Sequence, residues 1–399
     1  MNRIILFVLN RSRRRERPSY SDIKRILVIR ELSIGDIVNL TPFLRVIKKR
    51  FPKAEVECLV ANFAREILLY NPNVDKLHIN DFYEWYVKGE TKFKWSELWK
   101  RLKYMKSISR KKYDVAFHLY AGLRISLKLE MLFFQEVFKI GYSYDSPERM
   151  TKDNFMYDGV VVVKRDKPMS IPYADFFLKS LENLTGENEK DNLGTEVFTS
   201  EKEKLKVEAL ILSRQWNRAY SWIAIAPTAG NATKAGAMLK TYPQEKMKTV
   251  AQKLIQNDAE RLIFLLGASS EREYAEVIRA ENSRIINLCG ELSLLESTEL
   301  LKNCKLLISN DTGISHIGGA LQINQIVIFG PTDDMQFTPY RNPNAVIVKA
   351  ALPCMPCDDI ICRAEQTEKL KKIERPFCMH LVDEAMIVEQ AENFLKSQS

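Results

Sequence analysis

Short apolar runs alternate with amphipathic segments along most of this chain. Residues 24–30 have the pattern of a fully buried strand, and residues 36–50 carry apolar side chains at helical spacing. Pro42 is expected to kink that helix or to leave its first turn irregular. Further runs of strand length occupy residues 55–60, 115–119, 138–142, 222–226, 262–266, 285–288, 306–309 and 326–329. Because helical segments separate most of these runs, the pattern predicts an α/β fold with parallel sheets.

A polar stretch divides this series of strands into two halves. Residues 182–200 contain almost no large apolar side chains, and a charged helix is predicted over 201–215. A chain of 399 residues is also longer than one typical core. We therefore predict a leader over 1–21, one domain over 22–200 and a second over 201–399. Ligands of open α/β sheets bind beyond the carboxyl ends of the strands, so we expect the chemistry in a cleft between the two halves.

The leader is strongly basic. A short apolar run over residues 4–9 precedes arginines at 11, 13, 14, 15 and 17, which reverses the order found in a secretory signal. The segment is either a tail that contacts anionic lipid or a solvated leader without a role. Elsewhere basic and acidic residues are mixed, so the net charge of +9 does not indicate a nucleic-acid partner. No apolar run approaches the ~20 residues that span a bilayer.

The loop after the first strand, residues 30–36 (RELSIGD), is the first candidate for chemistry. Gly35 would let the backbone turn tightly and a ligand approach closely. Asp36 lies where the next helix begins. Its carboxylate either accepts a proton from a hydroxyl nucleophile or caps that helix.

A second candidate follows the strand at 306–309 and has the sequence NDTGISH over residues 310–316. A strand, a polar turn and a helix N-terminus together favour an anion, because free N–H groups and the helix dipole point at it. Thr312 adds a hydroxyl donor. His316 lies one turn into the helix, where it is either structural or able to reach the same anion.

Two further strand-to-helix loops are weaker candidates. Residues 227–243 contain Lys234 and Lys240, which are able to neutralise a diphosphate, although such a loop is commonly only a flexible connection. Residues 265–271 end in Glu271, which is placed to bind ribose hydroxyls as in dinucleotide folds. Glu273 would serve as well, and helix capping or solvation is the alternative for either carboxylate.

Four of the seven cysteines cluster near the C-terminus, at Cys354, Cys357, Cys362 and Cys378. Four thiolates suit tetrahedral zinc, but only one tight pair of ligands is present. A structural metal, disulfides or redox chemistry, and unligated thiols are the alternatives. A cytosolic location would disfavour disulfides. In none of these interpretations does the cluster carry catalysis.

Taken in order, these segments resemble glycosyltransferase family 9, the ADP-heptose:lipopolysaccharide heptosyltransferases. The resemblance runs from about residue 24 to residue 395. Its most specific parts are ILVIRELSIGDIVNLTPFLRVIKKRFP, SNDTGISHIGGAL and VIFGPTD with the later Pro339-Tyr340. It implies a GT-B architecture of two Rossmann-like domains facing across a cleft. The acceptor domain would be N-terminal, and the donor domain would be C-terminal with a cysteine-containing segment over 354–378.

The resemblance also implies roles for individual residues. Asp36 matches the acidic residue proposed as catalytic base, with Ser33 and Gly35 in the acceptor-side loop. The residues implied in donor binding are Thr228, Lys240, Glu271, Asp311, Thr312, Gly313 and His316. The chain departs from the family pattern at His118-Leu119-Tyr120, where an acidic residue and glutamine are usual, and at Tyr242, which replaces tryptophan.

The implied activity is an inverting transfer of heptose from ADP-heptose to a lipopolysaccharide core or another lipid-linked glycan. No metal or other cofactor is expected to take part in catalysis; a structural zinc at the cysteines stays an alternative. The enzyme would be cytoplasmic and peripheral at the inner face of the cytoplasmic membrane, and an anionic membrane surface is a further candidate partner. The alternatives are a GT-B transferase for another nucleotide sugar and a non-catalytic membrane-surface binding protein.

Overall fold

The computed structural model describes residues 15–80, 95–120, 129–145, 156–163, 171–230, 235–357, 362 and 376–396. These residues divide into two compact units. The first comprises the described residues within 1–166 and 173–193, and the second those within 167–172 and 194–399. The division falls after residue 193, whereas composition placed the boundary after residue 200. Thr199 illustrates the difference, because its hydroxyl donates a hydrogen bond to Glu299 and accepts one from Lys302 in the second unit.

The first unit is built on a six-stranded parallel sheet. Its strands are β1 (Arg25–Ile29), β2 (Glu55–Ala61), β3 (Lys76–Asn80), β4 (Val115–His118), β5 (Phe138–Tyr144) and β6 (Gly159–Val163). Their order across the sheet is β3-β2-β1-β4-β5-β6. The helices are α1 (Ile34–Arg50), α2 (Trp95–Ser109) and α3 (Tyr173–Thr185), with 3-10 helices at Tyr20–Asp22, Asn62–Leu68 and Leu129–Phe133.

Helix α1 continues through Pro42 without a break. The proline nitrogen cannot donate to the carbonyl of Val38, and the Thr41 hydroxyl donates to that oxygen instead, at 2.8 Å. The first turn of α1 is closed by a capping box, so the irregular first turn expected from the sequence is absent.

The second unit contains another six-stranded parallel sheet. Its strands are β7 (Ser221–Ile225), β8 (Arg261–Leu265), β9 (Ile285–Asn287), β10 (Leu306–Asn310), β11 (Gln325–Phe329) and β12 (Ala345–Lys349), in the order β12-β11-β10-β7-β8-β9. Its helices are α4 (Glu201–Ser213), α5 (Ala235–Met238), α6 (Gln244–Asn257), α7 (Arg272–Arg279), α8 (Leu294–Leu301), α9 (Gly313–Ala320), α10 (Asp334–Phe337), α11 (Phe377–His380) and α12 (Glu384–Lys396). A 3-10 helix spans Ser269–Glu271.

Both sheets have the strand order of the Rossmann fold. In each, the first strand of the unit lies beside the fourth, so the chain direction across the sheet reverses between them. Ligands of such sheets bind at this switch point, beyond the carboxyl ends of the two strands. The switch points here are β1/β4 and β7/β10, and the loops that follow β1, β7 and β10 contain the candidate motifs. The predicted α/β class with two Rossmann-like domains is confirmed.

Part of the predicted leader packs on the first unit. Residues 1–14 lie outside the described part of the chain. The Arg15 backbone N–H donates to Asp158 at 2.8 Å, and the Tyr20 hydroxyl donates to the carbonyl of Thr185 at 2.7 Å. The Tyr20 ring meets Phe51 edge-on at 5.4 Å between centroids. Residues 15–22 therefore belong to the folded unit. None of the described helices combines the length and the apolarity needed to cross a bilayer.

Candidate functional site

The loop after β1 fixes Asp36 at the start of α1. Ser33 is the N-cap residue, and Asp36 at the third helical position completes a capping box. One carboxylate oxygen of Asp36, Oδ2, accepts from the Ser33 backbone N–H at 2.9 Å and from the Ser33 hydroxyl at 2.5 Å. Gly35 is a buried residue within the first helical turn and is not the turn residue that the sequence led us to expect.

The other carboxylate oxygen of Asp36 is paired with a buried arginine. Arg30 Nη2 lies 2.6 Å from Asp36 Oδ1 and also donates to the hydroxyl of Tyr173. Arg30 Nη1 donates to the carbonyl of Leu119, the residue after β4. The side chain of Arg30 is 3% exposed and that of Asp36 is 15% exposed. The aspartate is thus the member of the pair that a ligand is able to reach.

Aromatic rings enclose the Arg30 guanidinium. Its carbon atom lies 5.4 Å from the ring centroids of Tyr120 and Tyr173 and 5.2 Å from that of Phe177. Rings at this distance attract a cation through their negative faces. The enclosure keeps the charge away from water and directs it towards Asp36. The segment His118-Leu119-Tyr120, which departs from the family pattern, therefore forms part of the wall around Arg30.

The electrostatics of this pair keep Asp36 ionised. Burial opposes ionisation of the carboxyl group, but the Arg30 charge and the hydrogen bonds from Ser33 and Arg30 outweigh it. The pKa of Asp36 therefore lies below its usual value. Burial raises the pKa of the Tyr173 hydroxyl well above its usual value, so Tyr173 stays neutral beside the pair. The result is a partly accessible carboxylate at the β1/β4 switch point.

A second buried cation supports the same loop. The Arg101 guanidinium, on α2, donates to both carboxylate oxygens of Glu31 at 2.6 and 2.8 Å and to both of Glu130 at 2.7 Å. All three side chains are buried. Tyr120 adds a hydroxyl donor to Glu31 at 3.2 Å. Because Glu31 follows Arg30 directly, this triad ties α2 to the loop that contains Asp36.

The loops of the second unit gather polar groups at the β7/β10 switch point. Lys240 Nζ lies 2.9 Å from Asp311 Oδ2, which also accepts from the Thr332 hydroxyl at 2.8 Å. Lys240 Nζ is 6.0 Å from the ring centroid of Phe337. The structure thus places two of the predicted donor-binding residues in direct contact and adds Thr332, which sequence reasoning did not single out although it lies within the VIFGPTD segment. Lys234 lies outside the described residues.

Asn310, the last residue of β10, anchors the loop that carries Lys240. Its side-chain oxygen accepts from the backbone N–H of Tyr242 at 2.7 Å, and its side-chain nitrogen donates to the carbonyl of Ala226 at 3.3 Å. Tyr242 is fully buried, and its hydroxyl donates to the carbonyl of Val382 at 3.1 Å. The tyrosine that replaces the expected tryptophan is therefore an anchor for the lysine loop.

Thr228 and Glu271 form a second contact between predicted residues. The Thr228 hydroxyl donates to Glu271 Oε1, and the Ala268 N–H donates to Glu271 Oε2 at 2.7 Å. Burial raises the pKa of Glu271, against the lowering effect of the hydrogen bond from Thr228. A Cβ at Gly267 would lie 2.9 Å from Glu271 Oε2, so a larger residue there would displace this carboxylate. The loop after β7 also reaches the lysine loop, since the Ala229 N–H donates to the Thr241 hydroxyl at 3.0 Å.

Helix α9 begins at this group of residues. Thr312 is its N-cap residue and Gly313 its first residue, and His316 is buried one turn further on. Two glycines let the helix pack closely. A Cβ at Gly318 would lie 2.8 Å from Leu307 Cδ2, and one at Gly319 would lie 2.8 Å from Pro339 Cβ. The N-terminus of α9 is thereby held at the carboxyl end of β10, next to Asp311.

The four clustered cysteines interact electrostatically in the folded chain. Burial, followed by the charges of the other three thiols, raises the pKa of Cys378 to about 12. Cys354 is exposed, and its pKa is raised by burial and by Cys357 and Cys362. Within the described residues, no three His, Cys, Asp or Glu side chains converge as metal ligands. The four thiols thus have the composition of a metal site without its geometry.

Comparison with known proteins identifies the family. Residues 101–368, more than half of the chain, match the model of glycosyltransferase family 9 (heptosyltransferase). The chain belongs to glycosyltransferase family 9. This finding confirms the family inferred from the motifs, together with its enzyme class of glycosyltransferase. Asp36 lies N-terminal to the matched residues.

One heptosyltransferase is similar to part of the chain. Lipooligosaccharide heptosyltransferase 2 of Campylobacter jejuni subsp. jejuni serotype O:2 is 30% identical over 139 residues, which cover 34% of this chain and 41% of that protein. The chain thus matches less than half of the length of this relative.

Solved structures of the family share the fold. The family 9 glycosyltransferase of Veillonella parvula has a TM-score of 0.71 at 18% identity, covering 95% of this chain and 99% of that one. The E. coli heptosyltransferase WaaC, solved with ADP, has a TM-score of 0.60 at 18% identity, covering 81% and 92%. Similarity at this level confirms the GT-B type of fold and carries no information on the substrates.

Proposed function

We propose that this family 9 member is an inverting glycosyltransferase that moves heptose from ADP-heptose to a lipopolysaccharide core or related lipid-linked glycan. The observation that carries the proposal is the pair Arg30–Asp36, an ionised and partly accessible carboxylate at the switch point of the first sheet. The adenine nucleotide of the proposed donor follows from membership of the heptosyltransferase family, of which WaaC was solved with ADP.

The proposed reaction is a single displacement. Asp36 removes the proton of an acceptor hydroxyl, the hydroxyl oxygen forms a bond to the anomeric carbon, and the bond from that carbon to the diphosphate breaks. ADP leaves with the bonding electrons, and the configuration at the anomeric carbon inverts. Because its pKa is low, Asp36 is a weak base, and proton transfer is expected to accompany attack rather than to precede it.

The second unit would bind the donor and stabilise its leaving group. Lys240 supplies a cation, Thr312 a hydroxyl, and the backbone N–H groups at the N-terminus of α9 a partial positive charge. Thr228 and Glu271 would contact the nucleoside, with Glu271 on the ribose hydroxyls. Asp311 and His316 complete the set proposed to hold the diphosphate and the sugar. These groups suffice to offset the developing charge, so we propose a reaction that needs no metal.

The lipid-linked acceptor determines the proposed location. We place the enzyme in the cytoplasm, attached peripherally to the inner face of the cytoplasmic membrane, with that anionic surface as a partner. A transferase for another nucleotide sugar is the nearest alternative. Titration of the protein with ADP, UDP and GDP separates the two, because preference for UDP or GDP would contradict the proposed donor. Transfer to truncated lipopolysaccharide cores, followed by mass spectrometry, tests the acceptor.

Replacement of Asp36 by Asn tests the proposed base. The amide is still able to accept the hydrogen bonds of the capping box but cannot take up a proton. We expect kcat to fall by about a hundredfold or more, while the affinity for ADP measured by calorimetry stays unchanged. Ser33→Ala is the matched control, since it breaks the capping box and keeps the carboxylate. A similar loss of kcat in both variants would mean that Asp36 acts only as a cap.

Replacement of Arg30 by Met tests how the base is kept ionised. Without the guanidinium charge, burial raises the pKa of Asp36, and the acidic limb of the kcat–pH profile should move to higher pH by about 1–3 units. The alkaline limb should not move. Arg45→Met, on the helix α1 that also contains Asp36, removes an equal charge that is paired with Asp191, and it should leave the profile in place. An unshifted acidic limb in Arg30→Met would refute the role given to Arg30.

Replacement of Lys240 by Ala tests the donor site. Loss of one charged hydrogen-bond donor to the diphosphate should weaken ADP binding by about tenfold to a hundredfold. Lys253→Ala, an exposed lysine on α6, is the control for the change in net charge. Equal affinities of the two variants for ADP would exclude Lys240 as a phosphate contact.

For the cysteine cluster we propose a structural metal ion, with zinc as the first candidate. The donor set suits such an ion, and its thiolates would have to close in around it. Elemental analysis of the purified protein should give about one metal ion per chain, and Cys357→Ser should lose it. Cys304→Ala, a buried thiol outside the cluster, should retain it. Absence of metal from the wild-type protein would leave the cluster as free thiols.

A further inference from the structure

Helix α2 presents two tryptophans to solvent. Trp95 is 69% exposed and Trp99 is 68% exposed, more than any other aromatic side chain among the described residues. They lie four residues apart, so they occupy the same face of the helix. Tryptophan is rarely exposed to this extent in a folded protein, and two such rings on one face mark an interaction surface.

The same helix is basic along its exposed side. Lys100, Lys103, Lys106 and Arg110 are exposed, and Glu97 is the only acidic residue between positions 95 and 112. Glu97 pairs with Lys100 at 2.8 Å. The remaining cations give this face a net positive charge. Its partner must therefore be anionic.

Helix α4 of the second unit provides a comparison. It also exposes large apolar side chains, Leu205 at 60% and Leu212 at 73%. Its charges, however, are mixed in sign over residues 201–208. Exposed apolar side chains alone therefore do not define the surface on α2. What distinguishes α2 is a pair of indole rings followed by Lys103, Lys106 and Arg110, which form no ion pair with any other described residue. Tryptophan and basic side chains on one helix face are typical of helices that lie in the interface of a bilayer.

The position of α2 is fixed relative to the candidate catalytic loop. Its opposite face is buried through Arg101, Met105 and Ile108. Arg101 contacts Glu31, directly beyond β1, so the tryptophans that precede Arg101 lie towards the carboxyl edge of the sheet. Asp36 is at that edge. The exposed face therefore lies near the place where a lipid-linked acceptor has to arrive.

We propose that the exposed face of α2, with Trp95, Trp99, Lys103 and Lys106, docks the enzyme on an anionic lipid bilayer. The rings would enter the interface between headgroups and acyl chains, and the cations would contact lipid phosphates. The role of this docking in the reaction rests on the proposed function, in which the acceptor is lipid-linked. Binding to lipid itself does not depend on donor or acceptor.

Vesicle co-sedimentation of the full chain tests the proposal. The wild-type protein should bind vesicles of phosphatidylglycerol and phosphatidylcholine in equal parts, with weaker binding at high salt and little binding to phosphatidylcholine alone. Trp95→Ser/Trp99→Ser and Lys103→Glu/Lys106→Glu should each reduce binding by about tenfold or more. The fluorescence of the single variants Trp95→Phe and Trp99→Phe should still shift to the blue on binding, because one indole remains to enter the interface.

Two double variants on α4 are the matched controls. Leu205→Ser/Leu212→Ser removes comparable apolar surface, and Lys202→Glu/Lys204→Glu makes the same change in net charge; both should bind as the wild-type protein does. Arg13→Glu/Arg14→Glu tests the leader, and binding lost there but kept in the α2 variants would overturn the proposal. It is likewise overturned if the wild-type protein does not bind anionic vesicles, or if the α2 variants change only its oligomeric state. Turnover with a water-soluble acceptor is measured in parallel, so failure of the proposed transfer is distinguished from failure of membrane docking.

Discussion

The buried ion pair between Arg30 and Asp36 is the interaction on which the first unit's chemistry depends. A guanidinium enclosed by three aromatic rings is costly unless an anion neutralises it, and Asp36 is that anion. The same carboxylate closes the capping box of α1. Its position and its ionisation are thus set by contacts that the fold requires. A group held in this way is oriented before any substrate arrives, which is the condition for an effective general base.

The two units share one strand order but carry different side chains at their switch points. In both, the loops after the first and fourth strands meet at a switch point. In the first unit, the switch point contains an accessible carboxylate, that of Asp36, beside the buried guanidinium of Arg30. In the second it contains an accessible lysine, hydroxyl groups and a helix N-terminus. The strand order alone explains why both sites lie where they do, and the side chains at the strand ends explain why one site suits a base and the other an anion.

Most strands and the loops that follow them could be predicted from the sequence, because buried parallel strands are continuous apolar runs. Three strands were missed, β3, β6 and β12, and all three lie at the edges of the two sheets. β3 alternates lysine, histidine and asparagine with apolar residues, and β12 is half exposed, whereas β6 was missed although residues 160–163 are four consecutive valines. The described residues divide after position 193, seven residues before the predicted boundary, because residues 194–200 are polar in sequence but belong to the second unit.

The site was predicted only in part, for a related reason. Asp36, Lys240 and Asp311 stand in local motifs, and the contact between Lys240 and Asp311 follows from the meeting of strand ends. Arg30 was visible within its motif, but its partner Tyr173 is 143 positions away in the chain. Arg101 is one of many basic residues on its helix, and only its burial against Glu31 and Glu130 distinguishes it. Contacts between residues so far apart in the chain depend on the packed structure. They cannot be predicted from the spacing of residues in the sequence.

The Arg101 triad has a mechanical consequence. The side chains of Arg101, Glu31 and Glu130 are buried, and the arginine makes bidentate hydrogen bonds to both carboxylates. Helix α2 is therefore not free to slide or rotate relative to the loop beyond β1. Any surface that binds the exposed face of α2 therefore also determines how the loop beyond β1 is tilted relative to that surface. For the lipid-linked acceptor proposed above, a fixed tilt would replace a search in three dimensions by one along the membrane surface, with the proposed base Asp36 held at a constant height above it.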